Sequence, residues 1–278
     1  MNIDAELRQK LADLPAFPGT VTRLIAALDD EDVSLAELTH HLHHDPVLAA
    51  RVLSAANRSG LQSGRHGVGD VYVATSLLGL NQVRQIVLST QVMDFFRHAN
   101  CSPQFHQHCL AVAICMQELA PQFDIPPDYA LVTGLLHDIG AFWFKYFHGE
   151  EYEQMLTLHE RLGGAISAAE RAVFGIDHGA LGGLMARHWS LPSDMAEAIA
   201  QHHEWSPGKL HRLTAMTCLA EIICNGLDLP YDRANQVTQL PDALLSTLGR
   251  EWMHELPDLF GRVEARFRHA LDGQRPPL

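Results

Sequence analysis

Lysine is scarce in this chain, and acidic residues outnumber basic ones. Only three of the 278 residues are lysine, and the net charge is −13 with histidine counted as neutral. A protein that wraps nucleic acid neutralises phosphates with clustered lysine and arginine, so this composition argues against a nucleic-acid partner. A polybasic patch that holds a protein on a membrane surface is disfavoured for the same reason.

The sequence also lacks long apolar runs and paired cysteines. No uninterrupted apolar stretch approaches the roughly 18 residues of a membrane span, and the N-terminal residues MNIDAELRQK do not resemble a signal peptide. Five cysteines occur, and no two of them form a CxxC pair. An odd number of cysteines without a secretion signal is typical of reduced thiols, so we expect a cytoplasmic protein without a membrane partner.

Long strand-like alternation is absent too, whereas helix-start signals recur along the whole chain. The residues from Ser34 to Glu37 have the spacing of a capping box. Further candidate starts place a residue before proline at Asp45-Pro46, Ser102-Pro103, Leu191-Pro192 and Ser206-Pro207. Behind these starts apolar residues recur at intervals of three and four, which predicts an all-α protein of about a dozen helices.

The chain changes character near residues 97–104, where an apolar run ends and a mostly polar stretch leads to a new helix start. We expect short helices over residues 2–96 and a helical bundle over 103–205. A third segment, 206–278, contains one strong helix predicted at about 207–225.

Histidine is what the chain has in excess, with 18 residues. The sequence Gly134-Leu-Leu-His-Asp-Ile-Gly140 leads an apolar helix into adjacent His137 and Asp138, and we expect Gly140 to stop that helix. A charged aspartate at the end of a buried apolar run is unfavourable without a partner. A divalent metal is one such partner, and a buried ion pair or a helix cap are the alternatives.

Other metal-ligand candidates fall on predicted helices: His108, His178, His202, His203 and Glu221. Each has a simpler interpretation, as a core histidine, a helix cap, a solvated helix end or a surface-facing carboxylate. Nitrogen and oxygen ligands without thiolate suit Fe, Mn, Mg or Zn.

The order of these residues resembles the HD superfamily of metal-dependent phosphohydrolases. Within it, the chain is most similar to the HDOD (HD-related output domain) proteins of bacterial signalling. The N-terminal half carries the resemblance in LPAFPGTVTRLIAAL, SLAELTHHLHHDPVLAARVLSAANRSG and ATSLLGLNQVRQIVLS, and the second half in FHQHCLAVA, LVTGLLHDIG and FGIDHGALGGLMARHWSLP. The resemblance implies an HDOD domain over 7–225, divided into an N-terminal helical subdomain (7–98) and an HD-like helical bundle (99–225). Residues 226–278 would form a C-terminal helical extension.

The resemblance also implies a ligand set. A first metal site would take His108, His137, Asp138 and Glu221, and a second metal or a phosphate would lie at His178, His202 and His203. One or two divalent ions would therefore bind.

This chain departs from the superfamily pattern at several of its positions. Glu221 stands where aspartate is usual, and Ala141 stands where the cyclic-dinucleotide-cleaving HD-GYP branch has lysine. The paired histidines are followed by EWSPGKL rather than by Gly-Tyr-Pro, and Gln104 replaces a carboxylate one turn before His108. These departures argue against cleavage of cyclic dinucleotides.

Two functions follow from the resemblance. The first is a bacterial, cytoplasmic signal-transduction module of the HDOD type, non-catalytic, that acts through contacts with signalling proteins and has a His/Asp metal site. The alternative is a metal-dependent phosphohydrolase that acts on a nucleotide or another phosphoester. The absence of an Arg/Lys-rich phosphate clamp near the motif favours the first.

Two further features of the N-terminal half have structural interpretations. The cluster His40, His41, His43 and His44 is read as a solvated face whose charge depends on pH. The side chain of Asn57 is predicted to satisfy backbone carbonyls at a helix C-terminus. Asn57 also resembles a characteristic asparagine of HDOD proteins, which favours a structural role.

Overall fold

The structure is a computed structural model of the chain. It describes residues 10, 17–26, 38, 42, 45–58, 67–97, 102–204, 211–230 and 254–274. These residues are mostly helical and contain no β-strand, which confirms the all-α prediction. No helix within the described ranges is both long enough and apolar enough to cross a membrane.

One compact unit comprises residues 17–95. Its helices are α1 (Gly19–Ala26), α2 (Pro46–Arg58), α3 (Val71–Leu78) and α4, which spans Leu80–Arg97 and so runs past the end of the unit. Fully buried Leu48, Val52, Val87 and Leu88 belong to its core. The predicted start at Asp45-Pro46 is confirmed, because Asp45 Oδ1 accepts a hydrogen bond from Leu48 N at 3.1 Å.

Asn57 ties the end of α2 to a later stretch of chain. Its Nδ2 donates to Leu53 O at 2.8 Å and to Val68 O at 2.9 Å, and its Oδ1 accepts from Val68 N at 2.7 Å. The structural interpretation of Asn57 is therefore confirmed. The capping box at residues 34–37 and the histidines at 40, 41, 43 and 44 lie outside the described residues.

The other compact unit comprises residues 1–16 and 96–278. Its helices are α5 (Pro103–Phe123), α6 (Pro127–Leu136), α7 (Ile139–Phe147), α8 (Gly149–Leu162), α9 (Ile166–Phe174), α10 (His178–His188), α11 (Ser193–Gln201), α12 (Arg212–Gly226) and α13 (Leu256–Gln274). The division of the sequence at 98–99 and at 225–226 stays a prediction.

Helix α5 lies at the centre of this unit and packs against α6, α12 and α13. Its start follows the predicted Ser102-Pro103 signal, since Ser102 Oγ accepts from Phe105 N at 3.2 Å. Most of its side chains are buried, and each fully buried aliphatic side chain contributes about 1.5–3 kcal/mol of hydrophobic stabilisation. The four described cysteines are buried, free thiols.

Two glycines allow helices to approach closely around the site. A Cβ at Gly134 would lie 2.5 Å from Ala113 Cα, so α5 and α6 touch through their backbones. A Cβ at Gly140 would lie 1.9 Å from His178 O. The expectation that Gly140 stops a helix is wrong: α6 already ends at Leu136, and Gly140 lies in the first turn of α7.

Helix α12 begins later than the sequence predicts. Its first residue is Arg212, after an extended His211, whereas the proline signal placed the start near residue 207. The signal at 206–207 lies outside the described residues. The helix ends at Gly226, close to the predicted end.

Candidate metal centre

Six helices, or their ends, present the seven predicted ligand side chains to one region of the unit formed by residues 1–16 and 96–278. His108 lies in the second turn of α5, and Glu221 lies in α12. His137 and Asp138 form the joint between α6 and α7. His178 is the first residue of α10, and His202 and His203 directly follow α11.

The carboxylate of Asp138 stands between two groups of histidines. Its Oδ2 lies 3.7 Å from His108 Nε2 and 3.6 Å from His137 Nε2. Its Oδ1 lies 3.4 Å from the Nε2 atoms of both His178 and His202. One carboxylate therefore faces two separate sets of ring nitrogens, one set with each oxygen.

The first cluster consists of His108, His137, Glu221 and Asp138 Oδ2. The Nε2 atoms of His108 and His137 are 3.3 Å apart. Glu221 Oε2 lies 3.1 Å from His108 Nε2 and 3.2 Å from His137 Nε2. Two nitrogens and two carboxylate oxygens thus converge on one point.

The second cluster consists of His178, His202, His203 and Asp138 Oδ1. His178 Nε2 lies 3.2 Å from His202 Nε2 and 2.8 Å from His203 Nε2. The rings of His202 and His203 are also in contact, with centroids 4.1 Å apart. In both clusters the histidines meet through Nε2 rather than through Nδ1.

Hydrogen bonds on the far side of the rings explain this orientation. His137 Nδ1 lies 2.8 Å from Gly134 O, and His202 Nδ1 lies 2.8 Å from Ile199 O. A backbone carbonyl can only accept, so each Nδ1 atom carries the proton and donates it. In the neutral ring the Nε2 lone pair then points into the cluster, which is how metal-binding histidines are arranged in proteins.

The structure adds supporting residues that the sequence analysis did not single out. Glu170 Oε2 accepts hydrogen bonds from both His178 Nδ1 (2.5 Å) and His178 N (2.9 Å). Asn225 Nδ2 donates to Glu221 Oε1 at 2.9 Å. The i, i+4 spacing of Glu221 and Asn225 was a readable signal, whereas Glu170 lies in an ordinary helix and belongs to no motif.

The histidines decide the charge state of the two carboxylates in the clusters. Burial would raise the pKa of Asp138, but the neighbouring histidines, His137 foremost, hold it well below its usual range. Burial likewise opposes ionisation of Glu221, and His108 and His137 hold its pKa well below the usual range. Both side chains are therefore anionic at neutral pH.

The second cluster contains two histidines of opposite character. Burial disfavours the charged form of His178, yet the hydrogen bond to Glu170 and the charges of Asp138 and Glu170 raise its pKa to about 9. Although His203 as a residue is exposed, its ring contacts the rings of His178 and His202, and desolvation on that side, together with those two histidines, lowers its pKa. The two rings therefore differ in their affinity for a proton.

The residues present fit a divalent cation. Glu221 Oε2 is buried and makes no hydrogen bond within the described structure, although two ring nitrogens face it. A divalent cation between this oxygen and the two rings would neutralise its buried charge. Within each of two histidine-aspartate groups, the ligand atoms lie within 4.8 Å of one another: His108, His137 and Asp138, and Asp138, His178, His202 and His203.

Comparison with known proteins agrees with this architecture. The HDOD domain family matches residues 14–205, well over half of the chain. The chain belongs to the HDOD family. An uncharacterized protein of Treponema pallidum (strain Nichols) is 22% identical over 256 residues, which is 87% of this chain and 47% of that protein. The chain thus spans about half the length of this curated relative.

Solved structures show the same fold. An HDOD domain protein of unknown function from Geobacter sulfurreducens is 26% identical, with a TM-score of 0.71 over 93% of this chain and 96% of that one. A Shewanella amazonensis SB2B protein provisionally named a phosphohydrolase is 23% identical, with a TM-score of 0.65 over 92% and 97%. A Marinobacter aquaeolei VT8 protein provisionally named a signal transduction protein is 20% identical, with a TM-score of 0.70 over 94% and 60%.

Two of the simpler interpretations of single residues are wrong in this protein. Glu221 is not surface-facing, because only 8% of it is exposed. His202 is not a solvated helix end, because it is 2% exposed, whereas its neighbour His203 is exposed. Gln104 is exposed one turn before His108, and Ala141 is buried in α7.

Proposed function

We propose that this HDOD domain is a metal-binding regulatory module of bacterial signal transduction, located in the cytoplasm. The observation that carries the proposal is the convergence of the two clusters on the two oxygens of Asp138. One or two divalent ions, of Fe, Mn, Mg or Zn, would bind there. The partners would be signalling proteins rather than nucleic acid or a membrane.

The donor atoms indicate how the ions would be divided. The first cluster would hold one ion through His108, His137, Glu221 and Asp138. The second would hold another through His178, His202 and His203, with Asp138 shared. Imidazole and carboxylate donors of this kind suit Fe, Mn and Zn, and the absence of thiolate disfavours softer ions.

The charges around the clusters support regulation rather than turnover. Among the described residues, every ion pair of Asp138 and Glu221 is with a histidine. Phosphoryl transfer relies on arginine, lysine or metal clamps that neutralise phosphate charge. Within the described ranges no arginine or lysine pairs with Asp138 or Glu221, and Ala141 stands where the HD-GYP branch has lysine.

A metal-dependent phosphohydrolase is the second candidate function, and the exposure of the clusters favours it. The side chains of His108 and Asp138 are 19% and 17% exposed, and His203 is exposed. A ligand could therefore reach both clusters from solvent. A bound divalent ion would supply an activated water and polarise a phosphoryl oxygen, and the substrate would be a nucleotide or another phosphoester.

The metal part of the proposal is tested by elemental analysis of protein purified without chelator. We expect one or two equivalents of a divalent transition metal in the wild type and loss of metal in D138N. D124N is the matched control, since Asp124 is a 95% exposed carboxylate whose replacement should leave the metal content unchanged. A wild type that contains no metal and takes up none from added Mn, Fe, Mg or Zn would contradict a metal centre.

Turnover separates the two candidate functions. The metal-loaded wild type and D138N are assayed side by side on phosphomonoesters and nucleotides. Equal background rates in both proteins support the regulatory module. A rate in the wild type that disappears in D138N, and persists in D124N, would replace it with the phosphohydrolase.

A further inference from the structure

The three hydrogen bonds behind the inward-facing histidines are not equivalent. His137 and His202 donate to backbone carbonyls, of Gly134 and Ile199. His178 instead meets a carboxylate, Glu170, at a shorter distance of 2.5 Å. A carboxylate that accepts the Nδ1–H bond makes the imidazole more basic than a carbonyl does, so its Nε2 becomes a stronger metal ligand.

Glu170 is buried and both of its carboxylate oxygens accept hydrogen bonds. Its side chain is fully buried. Oε2 receives the backbone and ring N–H groups of His178, and Oε1 receives the Tyr152 hydroxyl at 2.9 Å. Tyr152 is itself 3% exposed. Three hydrogen bonds from α8 and α10 therefore fix the carboxylate of α9 in one orientation.

The two clusters differ in the number of carboxylates among their direct ligands, and Glu170 lies beside the cluster that has fewer. The first cluster has Glu221 to itself and shares Asp138. The second cluster has three imidazoles and only the other oxygen of Asp138. A divalent cation in the second cluster would thus meet less negative charge among its direct ligands, and Glu170 adds one charge immediately behind His178.

We propose that Glu170 is the positioning residue of the second cluster, which makes His178, His202 and His203 able to hold a second divalent ion beside the first. This inference rests on the proposed metal centre and assigns to it a residue outside the seven ligands. Glu170 touches no ion itself. It holds the proton of His178 on Nδ1. It also makes the Nε2 lone pair a stronger metal ligand.

The variant E170Q isolates the charge from the geometry. A glutamine oxygen can still accept from both N–H groups of His178, and its amide group can donate to the Tyr152 oxygen. E197Q is the matched control, because Glu197 is an exposed carboxylate on α11. Thermal unfolding in chelator verifies that both variants fold.

The measurement is a calorimetric titration of the chelator-treated full chain with Mn²⁺, accompanied by electron paramagnetic resonance. We expect two ions in the wild type and in E197Q, with the spectrum of a coupled pair. In E170Q one ion should bind as before and the other about 10–100-fold more weakly, and the spectrum should become that of an isolated ion. A purely structural role would lower stability in chelator without separating the two ions.

Each other outcome has a distinct meaning. Two ions of unchanged affinity in E170Q would overturn the role of Glu170 and leave the metal centre intact. A single ion in the wild type would overturn it too, while the first cluster stands. No ion in the wild type would overturn both the proposed function and this inference.

If E170Q does not fold, the wild type still decides. In Zn²⁺-loaded protein, nuclear magnetic resonance should find the Nδ1–H proton of His178 downfield of those of His137 and His202, which donate to neutral carbonyls. A His178 resonance in the same range as the other two would overturn the inference.

Discussion

Glu221 is held by a residue one turn further along its own helix. Asn225 Nδ2 donates to Oε1, which leaves Oε2 directed at His108 and His137. The longer side chain of glutamate, compared with the aspartate usual in the superfamily, can rotate more freely. Asn225 removes that freedom on the side away from the clusters.

We therefore predict that N225A weakens binding at the first cluster by about 10–100-fold, as loss of an outer hydrogen bond to a metal ligand typically does. The second cluster should keep its affinity. Calorimetric titration measures the affinity of each cluster. The control is N81A, because Asn81 is exposed and lies in the other unit. Equal weakening of both ions would contradict a role specific to Glu221.

At the residue scale, ligand types could be read from the sequence but their supports could not. His137 and Asp138 stand out because charge follows an apolar run, and the order of the other histidines completes the pattern. Glu170 and Tyr152 are separated by 18 residues and lie in two amphipathic helices with no motif. Only the packing of α8 against α9, and of α9 against α10, brings them behind His178.

At the element scale, the contact between α5 and α6 depends on the missing side chain of Gly134. Nothing but backbone lies within 3 Å of the position of an added Cβ, and backbone cannot rotate out of the way as a flexible side chain can. The contact also sets the spacing of His108 on α5 from His137 at the end of α6.

We predict that G134A lowers the free energy of unfolding by about 1–3 kcal/mol, the usual range for overpacking, and weakens metal binding at the first cluster. G149A is the control, because a Cβ there meets nothing within 4 Å in the first turn of α8. It should be neutral or stabilising by up to about 1 kcal/mol. Urea unfolding of the two variants tests this, and equal midpoints would refute the steric argument.

Helix α13 is attached to α5 through charge. Glu118 receives hydrogen bonds from Arg262 Nε at 2.8 Å and from Arg266 at 2.5 Å. Burial would raise the pKa of Glu118, but these hydrogen bonds and charges lower it below its ordinary value of 4.5. Because the folded-state pKa is depressed, the stabilisation is complete above about pH 4.5 and disappears as the pH falls through the lower, folded-state value.

Acid should therefore destabilise the wild type more than E118Q, in which no proton can be taken up at this position. Thermal unfolding at about pH 6 and about pH 3.5 compares them. E264Q serves as the control, since Glu264 pairs with Arg268 on the surface of α13 and should follow the wild type. Parallel acid losses in the wild type and E118Q would show that Glu118 does not carry the effect.

Sequence signals gave the elements more reliably than their junctions. Ser102 and Asp45 cap the helices they predict. A glycine after an apolar helix usually marks its end, but Gly140 instead provides room for His178 O. A close approach between helices distant in sequence leaves no local trace.

At the scale of the whole molecule, the candidate ligands span residues 108–221 and lie in or at the ends of six helices. Periodicity predicts that such helices exist but does not decide which faces meet. Resemblance to a family implied both the grouping and its division into two sites, and the structure adds that Asp138 stands between them with one oxygen facing each cluster. The burial of Glu221 and His202 depends on that packing and could not be read from their sequence neighbours.

The position of Asp138 at the joint between α6 and α7 has a mechanical consequence. Both of its oxygens belong to one rigid carboxylate, so a tilt of α7 against α6 would draw Oδ1 and Oδ2 out of the two clusters in a single movement. Ion binding and the angle between α6 and α7 would then be linked, so that each affects the other. A bound ion would therefore stiffen the joint. The direction of α7 relative to α6 would then depend on whether the metal centre holds an ion.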